Sequence, residues 1–192
     1  MSKRRKSGIM EGDNMEKKYI SPKRDYVFKR LFSKGKEGYL KEFLEVLLKE
    51  EITELEILQS TVLDKESENN KSCILDVVAK IGDTYVHLEM QNKVRKDFEK
   101  RVELYDKKES AHLAKAGGDY NNLKYQLKHV WLLGENIDNE KVSIDNICRV
   151  YVKRGKLIKS DSEIYIIELK KIARGKKCYE DKLWQWLYFL GS

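Results

Sequence analysis

The sequence predicts a domain of the α/β or α+β class, in which helices pack against a β-sheet. Three observations support this class: amphipathic helical segments come first, a β-hairpin follows them, and a long helical segment separates that hairpin from three further strands. The length of 192 residues is enough for one domain with a full core. Charged residues make up 37% and hydrophobic residues 41%, which is typical of a globular chain rather than a disordered one.

Two helices are predicted at the beginning of the domain. Ser21 and Pro22 are typical of an N-cap followed by proline at the first helical position, so the first helix is expected to begin there. The second helix is expected over about 37–50, because its apolar residues recur at the spacing of one helical face. These residues are predicted to lie in the core: Leu40, Phe43, Leu44, Leu47 and Leu48.

The remaining segments complete the predicted order of elements. Residues 54–63 are predicted as a strand, 72–91 as a hairpin, about 96–115 as a helix, 129–134, 147–155 and 163–169 as strands, and 179–190 as a helix. The last helix is apolar on several sides and carries Trp184, Trp186 and Tyr188. This pattern predicts that more chain follows residue 192, so that the domain is truncated here, or that a partner covers the aromatic side chains.

Residues 72–91 contain the most informative pattern in the chain. Gly82 and Asp83 are typical of a two-residue turn, and a four-residue loop gives the same pairing. The register then sets Lys80 opposite Tyr85, Val78 opposite His87, Asp76 opposite Glu89 and Ile74 opposite Gln91. Because side chains alternate, Tyr85, His87, Glu89 and Gln91 share one face. The opposite, apolar face is predicted to contain Cys73, Leu75, Val77, Ala79, Val86, Leu88 and Met90.

The predicted register places two carboxylates, Asp76 and Glu89, directly opposite each other, with their Cβ atoms about 5 Å apart. Like charges in that arrangement destabilise a sheet, and a divalent cation between them removes the conflict. Together with the backbone carbonyl of Met90, the two side chains offer the oxygen ligands that Mg²⁺ prefers. A water molecule polarised by such an ion would be able to attack a phosphodiester.

Other polar residues are expected to assist these carboxylates. Gln91 lies on the same face as Glu89 and would orient a water molecule or a phosphate oxygen, although a carboxamide supplies neither a general base nor positive charge. Lys80 or Lys93 would supply that charge. The alternative is a solvated sheet face on which Asp76 pairs with Lys80 or an arginine, an arrangement that contributes little to stability.

The net charge and the cysteine content indicate which class of partner and which cellular compartment to expect. The net charge of +7 favours a polyanionic partner, and residues 1–20 are predicted to form a flexible basic tail ahead of one domain over 21–192. No apolar run approaches the roughly 20 residues of a membrane span, and the start lacks the apolar core of a secretory signal. The three cysteines are interpreted as reduced thiols of a cytoplasmic protein. The three histidines are far apart in the sequence, so a zinc site has little support.

Asp76 on one strand and Glu89-Met90-Gln91 on the next resemble the PD-(D/E)xK nuclease superfamily. The chain is most similar to the branch of recombination-promoting nucleases and putative transposases, where E-x-Q often replaces E-x-K. Other segments resemble the family in order: SPKRDYVFKRLF (21–32) its D-x-x-F-K-x-x-F opening, RVELY (101–105) its R-x-x-x-Y helix, GGDYNNL (117–123) its G-x-x-Y-x-x-L segment, and EIYIIELKK (163–171) its later strand.

The resemblance implies an α/β fold with a restriction-endonuclease-like core, a mixed β-sheet flanked by helices. It implies Mg²⁺-dependent cleavage of DNA, with Mn²⁺ as a second candidate ion, in recombination or in mobile elements. Asp76 and Glu89 would bind the metal, and Gln91 would stand where the superfamily usually has lysine. Asp25 and Arg101 match the family's motifs and would support the site, Arg101 by contacting a phosphate or the carboxylates. The alternatives are ordinary dipole compensation in the first turn of a helix for Asp25 and an exposed helix arginine for Arg101. Because cutting both strands of a duplex commonly uses two sites, a homodimer is also expected.

Three functional interpretations follow from the sequence. The first is a metal-dependent DNA endonuclease. The second is a transposase-like nucleic-acid-binding module whose catalysis is weak or lost, an interpretation based on Gln91 and the basic charge. The third is an interaction protein that docks through the aromatic residues of its last helix.

Overall fold

The computed structural model describes residues 20–58, 62–63, 73–117, 125–153, 156–172 and 180–192. The helices are α1 (Asp25–Leu31), α2 (Glu37–Leu48), α3 (Phe98–Gly117) and α4 (Lys182–Gly191). The strands are β1 (Glu56–Leu58), β2 (Val62–Leu63), β3 (Cys73–Ile74), β4 (Val77–Ile81), β5 (Thr84–Gln91), β6 (Gln126–Leu133), β7 (Ile144–Lys153) and β8 (Lys156–Glu168). Apart from Ile20, the predicted tail lies outside the described residues.

Six strands form a mixed sheet in the order β1-β4-β5-β6-β8-β7, and β2 pairs with β3 in a separate ladder. The three central strands, β5, β6 and β8, run parallel, and the outer pairings are antiparallel. Helices cover both faces, so the predicted mixed sheet flanked by helices is confirmed. The parallel centre sets the carboxyl end of β5 beside the carboxyl ends of β6 and β8.

Two apolar layers cover opposite faces of this sheet. The larger layer lies against α1, α2 and α4, and its fully buried members are Phe28, Leu40, Phe43, Leu44, Ala79, Val86, Leu88, Val130, Leu132, Ile167, Leu187 and Leu190. The smaller layer lies between the sheet and α3 and contains Leu75, Val78, Phe98, Val102, Tyr105, Trp131, Leu133, Ile164 and Ile166. The stripe predicted on α2 therefore faces the core, with Leu48 only partly buried.

The C-terminal helix packs onto the larger layer. The side chain of Asp181 caps α4 by accepting hydrogen bonds from the backbone N–H groups of Leu183 and Trp184. Trp186 contacts the rings of Phe32 and Phe43, with centroids 6.2 Å and 5.9 Å away. Part of the predicted aromatic surface is thus covered within the chain itself. Whether more chain follows residue 192 stays a prediction.

Several predicted boundaries shift. The helix expected from Ser21 begins at Asp25, because residues 21–24 form a turn in which the N–H of Arg24 donates to the Ser21 carbonyl. The predicted strand over 54–63 is divided into β1 and β2, and the first hairpin strand is divided into β3 and β4. Among the described helices, none combines the length and the apolar character that a bilayer crossing requires.

The division of the first hairpin strand positions the functional residues. Leu58 pairs with Val78, and four residues further along each strand Val62 pairs with Ile74. The β1–β4 ladder and the β2–β3 ladder therefore have the same register. A bend at Asp76 separates them and reverses the alternation of faces. As a result, Leu75, predicted to share a face with Val77, packs in the opposite layer.

Candidate functional site

The bend at Asp76 also changes the predicted hairpin register. β4 and β5 pair Lys80 with Tyr85 and Val78 with His87, as predicted, but their ladder ends at Val77 and Leu88. The predicted pairs Asp76–Glu89 and Ile74–Gln91 are therefore wrong as ladder pairs. The reason is that Asp76 Oδ2 itself accepts the hydrogen bond of the Met90 N–H, at 3.1 Å, where a backbone carbonyl would otherwise accept it.

Asp76 and Glu89 are nevertheless neighbours at the end of the hairpin. The backbone N–H of Asp76 donates a hydrogen bond to the Glu89 carboxylate. Burial raises the pKa of Asp76, and the charge of Glu89 raises it further. Burial also raises the pKa of Glu89 to about 7, against the attraction of Arg101. The charge of Glu89 thus disfavours the ionised form of Asp76, while the pKa of Glu89 is raised mainly by its own burial.

Lys29 of α1 offsets part of this negative charge. Its Nζ lies 3.1 Å from Asp76 Oδ1 and 2.8 Å from Asp25 Oδ1. Asp25 and Lys29 are four residues apart on one helix, so they share a face. Asp25, which the sequence named as a supporting residue, therefore contacts Asp76 through Lys29, and its charge also raises the pKa of Glu89.

Arg101 of α3 joins the second carboxylate to Gln91. Its Nη2 donates to Glu89 Oε1 and its Nη1 donates to Gln91 Oε1, both at 2.7 Å. Nη2 also donates to the Tyr105 hydroxyl at 3.0 Å, and the guanidinium lies over the rings of Tyr105 and Trp131. These contacts hold the guanidinium fork in one orientation, with its side chain about one third exposed.

Gln91 is fixed in orientation by its two partners. Its Nε2 donates to the Lys93 carbonyl at 2.7 Å, while its Oε1 accepts from Arg101. A lysine side chain has no acceptor and would face the guanidinium with a second positive charge. Behind the strand end, Gly134 N–H donates to the Gln91 carbonyl at 2.9 Å. A Cβ on Gly134 would lie 2.8 Å from the Asn92 carbonyl oxygen, so this close approach requires glycine.

The residues at this position fit a divalent cation. Glu89 Oε2 is buried and has no hydrogen-bond partner among the described residues, which is an unfavourable state for a carboxylate oxygen. Because the N–H and C=O of one residue in a strand point to the same side, the Met90 carbonyl is directed toward Asp76, as its N–H is. Asp76, Glu89 and this carbonyl offer the oxygen donors that a hard cation prefers.

The two lysines proposed as charge donors lie elsewhere. Lys80 is four residues from Asp76 along β4, roughly 13 Å at the rise of a strand, and its Nζ lies over the Tyr85 ring. The expectation that Lys80 supports the site is therefore wrong, because strand geometry directs it to the turn end of the hairpin. Lys93 contributes its backbone carbonyl to Gln91, and its side chain is exposed. The cations beside the carboxylates are Lys29 and Arg101.

A second polar cluster lies deeper on the same face of the sheet. His87 and His129 are direct partners in the parallel β5–β6 ladder, and their Nδ1 atoms are 3.0 Å apart. Glu109 Oε2 of α3 lies 3.6 Å from His87 Nδ1 and 3.7 Å from His129 Nδ1. All three side chains are at most 4% exposed. Burial lowers the pKa of His87 to about 4, so it is neutral near pH 7.

Sequence reasoning missed Lys29 and this histidine cluster. Lys29 belongs to the D-x-x-F-K segment, and its spacing from Asp25 was the signal that would have found it. The histidines were judged dispersed because they are 42 residues apart in sequence. Only the parallel pairing of β5 with β6 brings them together, and no local pattern encodes that pairing.

Comparison with protein families supplies independent support. A family described as PD-(D/E)XK nuclease family transposase matches residues 22–192. This match confirms the family resemblance read from the sequence, and it covers each site residue described above. Comparison with curated proteins and with solved structures finds no match.

Proposed function

Because the chain belongs to the PD-(D/E)XK nuclease family transposases, we propose that it is a metal-dependent DNA endonuclease acting in recombination or in mobile elements. Its expected ion is Mg²⁺, with Mn²⁺ as the alternative. The observation that supports this most directly is the pair formed by the partly buried Asp76 and the buried Glu89, in which Glu89 Oε2 lacks a hydrogen bond among the described residues. Such a pair is costly without a cation and useful with one.

The chain's own residues divide the work. Asp76, Glu89 and the Met90 carbonyl would hold the ion, which when bound supplies Lewis-acid activation of water and charge stabilisation at the phosphate. Lys29 pairs with Asp76 at 3.1 Å and lowers its pKa, which opposes the effects of burial and of Glu89 on that carboxyl group. Gln91, held in one orientation, is positioned to accept from or donate to a water molecule near the scissile phosphate.

Arg101 takes the role that lysine has in the superfamily pattern. Gln91 is neutral, but Arg101 Nη1 lies 2.7 Å from it, so a positive charge is present beside the strand end. A guanidinium suits a phosphate because its N–H groups donate two parallel hydrogen bonds. The pair Gln91–Arg101 therefore supplies both a polar orienting group and the cation.

The test is cleavage of supercoiled plasmid by purified full-length chain with Mg²⁺. Asp76→Asn and Glu89→Gln are expected to lower the rate at least about 1000-fold, with far-UV circular dichroism unchanged. Asp83→Asn is the matched control, because Asp83 lies in the exposed turn of the same hairpin. Nuclease activity that survives both site substitutions would show that another site, or a contaminant, cleaves the DNA.

The transposase-like binding module without effective catalysis is the second candidate. It is favoured by the two cations, Lys29 and Arg101, that already pair with the carboxylates. This candidate predicts DNA binding that weakens steeply with salt, since phosphate contacts release counterions. It also predicts no cleavage with Mg²⁺ or Mn²⁺ in the wild type.

Light scattering on the DNA complex would show whether two copies assemble for double-strand cutting.

A further inference from the structure

The deeper polar cluster has the geometry of an ion-binding site. His87 Nδ1 and His129 Nδ1 are 3.0 Å apart, and Glu109 Oε2 lies 3.6 Å from the first and 3.7 Å from the second. A point equidistant from these three atoms is about 2.0 Å from each. That distance is the length of Zn–N and Zn–O bonds in proteins. We propose that His87, His129 and Glu109 form a second, buried site for a transition-metal ion, with Zn²⁺ as the expected occupant.

The outer nitrogens of the two rings support this proposal. His87 Nε2 lies 3.4 Å from Glu89 Oε2, and His129 Nε2 lies 3.5 Å from Asp106 Oδ1. When Nδ1 binds a metal, the proton of a neutral imidazole must sit on Nε2. Metal-bound histidines usually direct that N–H at a carboxylate, which fixes the ring and its tautomer. Neither Nε2 makes a hydrogen bond among the described residues, but each has a carboxylate oxygen on that side that would accept one once metal binding places the proton on Nε2. Asp106 is held in turn by the hydroxyl of Ser162.

A cluster without metal satisfies these atoms less well. One Nδ1–H would donate to the other Nδ1, and the donating ring would then turn an unprotonated Nε2 toward Glu89 or Asp106. In that arrangement the lone pair of Nε2 faces a carboxylate oxygen, which is an unfavourable contact between two acceptors. Glu109 Oε2 would also stay buried without a hydrogen bond among the described residues, since 3.6 Å and 3.7 Å exceed hydrogen-bond distance. One cation at the centre resolves both conflicts.

The donor set selects the ion. Two imidazole nitrogens favour zinc and its transition-metal neighbours over Mg²⁺, which prefers carboxylate, carbonyl and water oxygens. The ion would connect β5, β6 and α3 between the sheet and that helix. It would also orient Glu89 through His87, although the site's existence does not depend on nuclease activity. The two ions would therefore be distinguishable by chemistry as well as by position.

The experiment measures bound metal by mass spectrometry after gel filtration, in the Asp76→Asn protein so that the candidate nuclease site contributes little. About one Zn²⁺ per chain is expected. Glu109→Gln and His129→Gln should weaken Zn²⁺ binding at least about 100-fold in a competition titration with a chromophoric chelator. His112→Gln is the matched control, because His112 lies exposed on the same helix as Glu109 and should leave the affinity unchanged.

Folded protein that holds no stoichiometric Zn²⁺ would overturn the proposal, as would Glu109→Gln protein that binds Zn²⁺ as tightly as His112→Gln protein. If the ligand substitutions unfold the chain, Co²⁺ bound to the Asp76→Asn protein decides. Intense visible absorption, typical of low-symmetry imidazole coordination, is expected. The weak absorption of an all-oxygen octahedral ion would contradict the site. Loss of plasmid cleavage alone bears only on the proposed nuclease function.

Discussion

The two faces of β5 are equally buried and chemically opposite. On one face, Val86 and Leu88 are fully buried in the apolar layer beneath α1, α2 and α4. On the other, His87 and Glu89 are buried against α3, where their contacts are polar and directional. Burying a large apolar side chain stabilises the fold by roughly 1.5–3 kcal/mol, whereas burying a polar group is costly unless it is fully bonded.

Because of this difference, one face of β5 contributes to packing and the other contributes the polar groups of the candidate sites. The apolar face needs only complementary shape, because hydrophobic contact has no direction. The polar face contains buried atoms that lack hydrogen bonds among the described residues, Glu89 Oε2, Glu109 Oε2 and His129 Nε2 among them. Local rules of stability are broken on that face, as is expected at a functional site. Substitutions on the apolar face should therefore change stability at every pH, whereas substitutions on the polar face should change chemistry and the pH dependence of stability.

The largest expected effect tests the apolar face. Leu88→Ala should lower the free energy of unfolding by about 2–5 kcal/mol, because it leaves a cavity in a fully buried layer. Urea denaturation followed by circular dichroism measures this loss. Val142→Ala, at a position that is 50% exposed, is the control and should change stability by less than about 0.5 kcal/mol. A loss below about 1 kcal/mol for Leu88→Ala would mean that this face is less tightly packed than described.

A smaller effect is expected on the polar face at Arg101. Arg101→Gln removes the cation that joins Glu89 to Gln91, and we expect plasmid cleavage to fall about 100-fold, equivalent to roughly 2.7 kcal/mol. Arg101→Lys should recover part of the rate, since it restores charge without the fork. The control is Arg95→Gln, an arginine whose side chain is 71% exposed. Equal cleavage rates in Arg101→Gln and the control would show that Arg101 does not contribute to cleavage.

The apolar face was readable from sequence, and the polar face only in part. The stripe on α2 and the alternation of Val86 and Leu88 follow from the periods of helix and strand, so these parts of the core were predicted correctly, whereas Leu75 was placed in the wrong layer. The candidate pair Asp76 and Glu89 was also found, because one hairpin supplies both residues. The bend at Asp76 was not foreseen, since the side-chain hydrogen bond to the Met90 N–H replaces a ladder bond only once β5 is in place.

Contacts between distant elements were the part that sequence could not provide. Arg101 was weighed as a site residue from its motif, yet its two bonds depend on how α3 crosses the sheet. His87 and His129 meet only because β6 pairs parallel to β5, a pairing set by the crossover through α3. Lys80 was named with Lys93 as a source of positive charge for the site, but four strand residues separate Lys80 from Asp76 along the hairpin.

The smallest effect that we predict is a pH dependence of stability in metal-free protein, kept in chelator. Burial raises the pKa of Glu89 to about 7 in the folded state, from an ordinary value of 4.5. The folded state therefore keeps a proton that the unfolded state releases. The stability contributed by this proton is fully present below about pH 4.5 and is lost as the pH rises through 7. Glu89→Gln cannot lose it, so the variant should gain roughly 2 kcal/mol relative to wild type between about pH 4.5 and 6.5.

Urea unfolding of both proteins across this pH range measures the difference. His87 contributes with the opposite sign below about pH 6.5, because burial lowers its folded pKa to about 4, and both proteins retain this residue. Glu56→Gln, which removes an exposed carboxyl group on β1, should follow the wild-type profile. A difference that stays constant with pH would mean that the buried Glu89 carboxyl gives up its proton as readily as an unfolded one. The polar face would then lack the electrostatic conflict that distinguishes it from the apolar face.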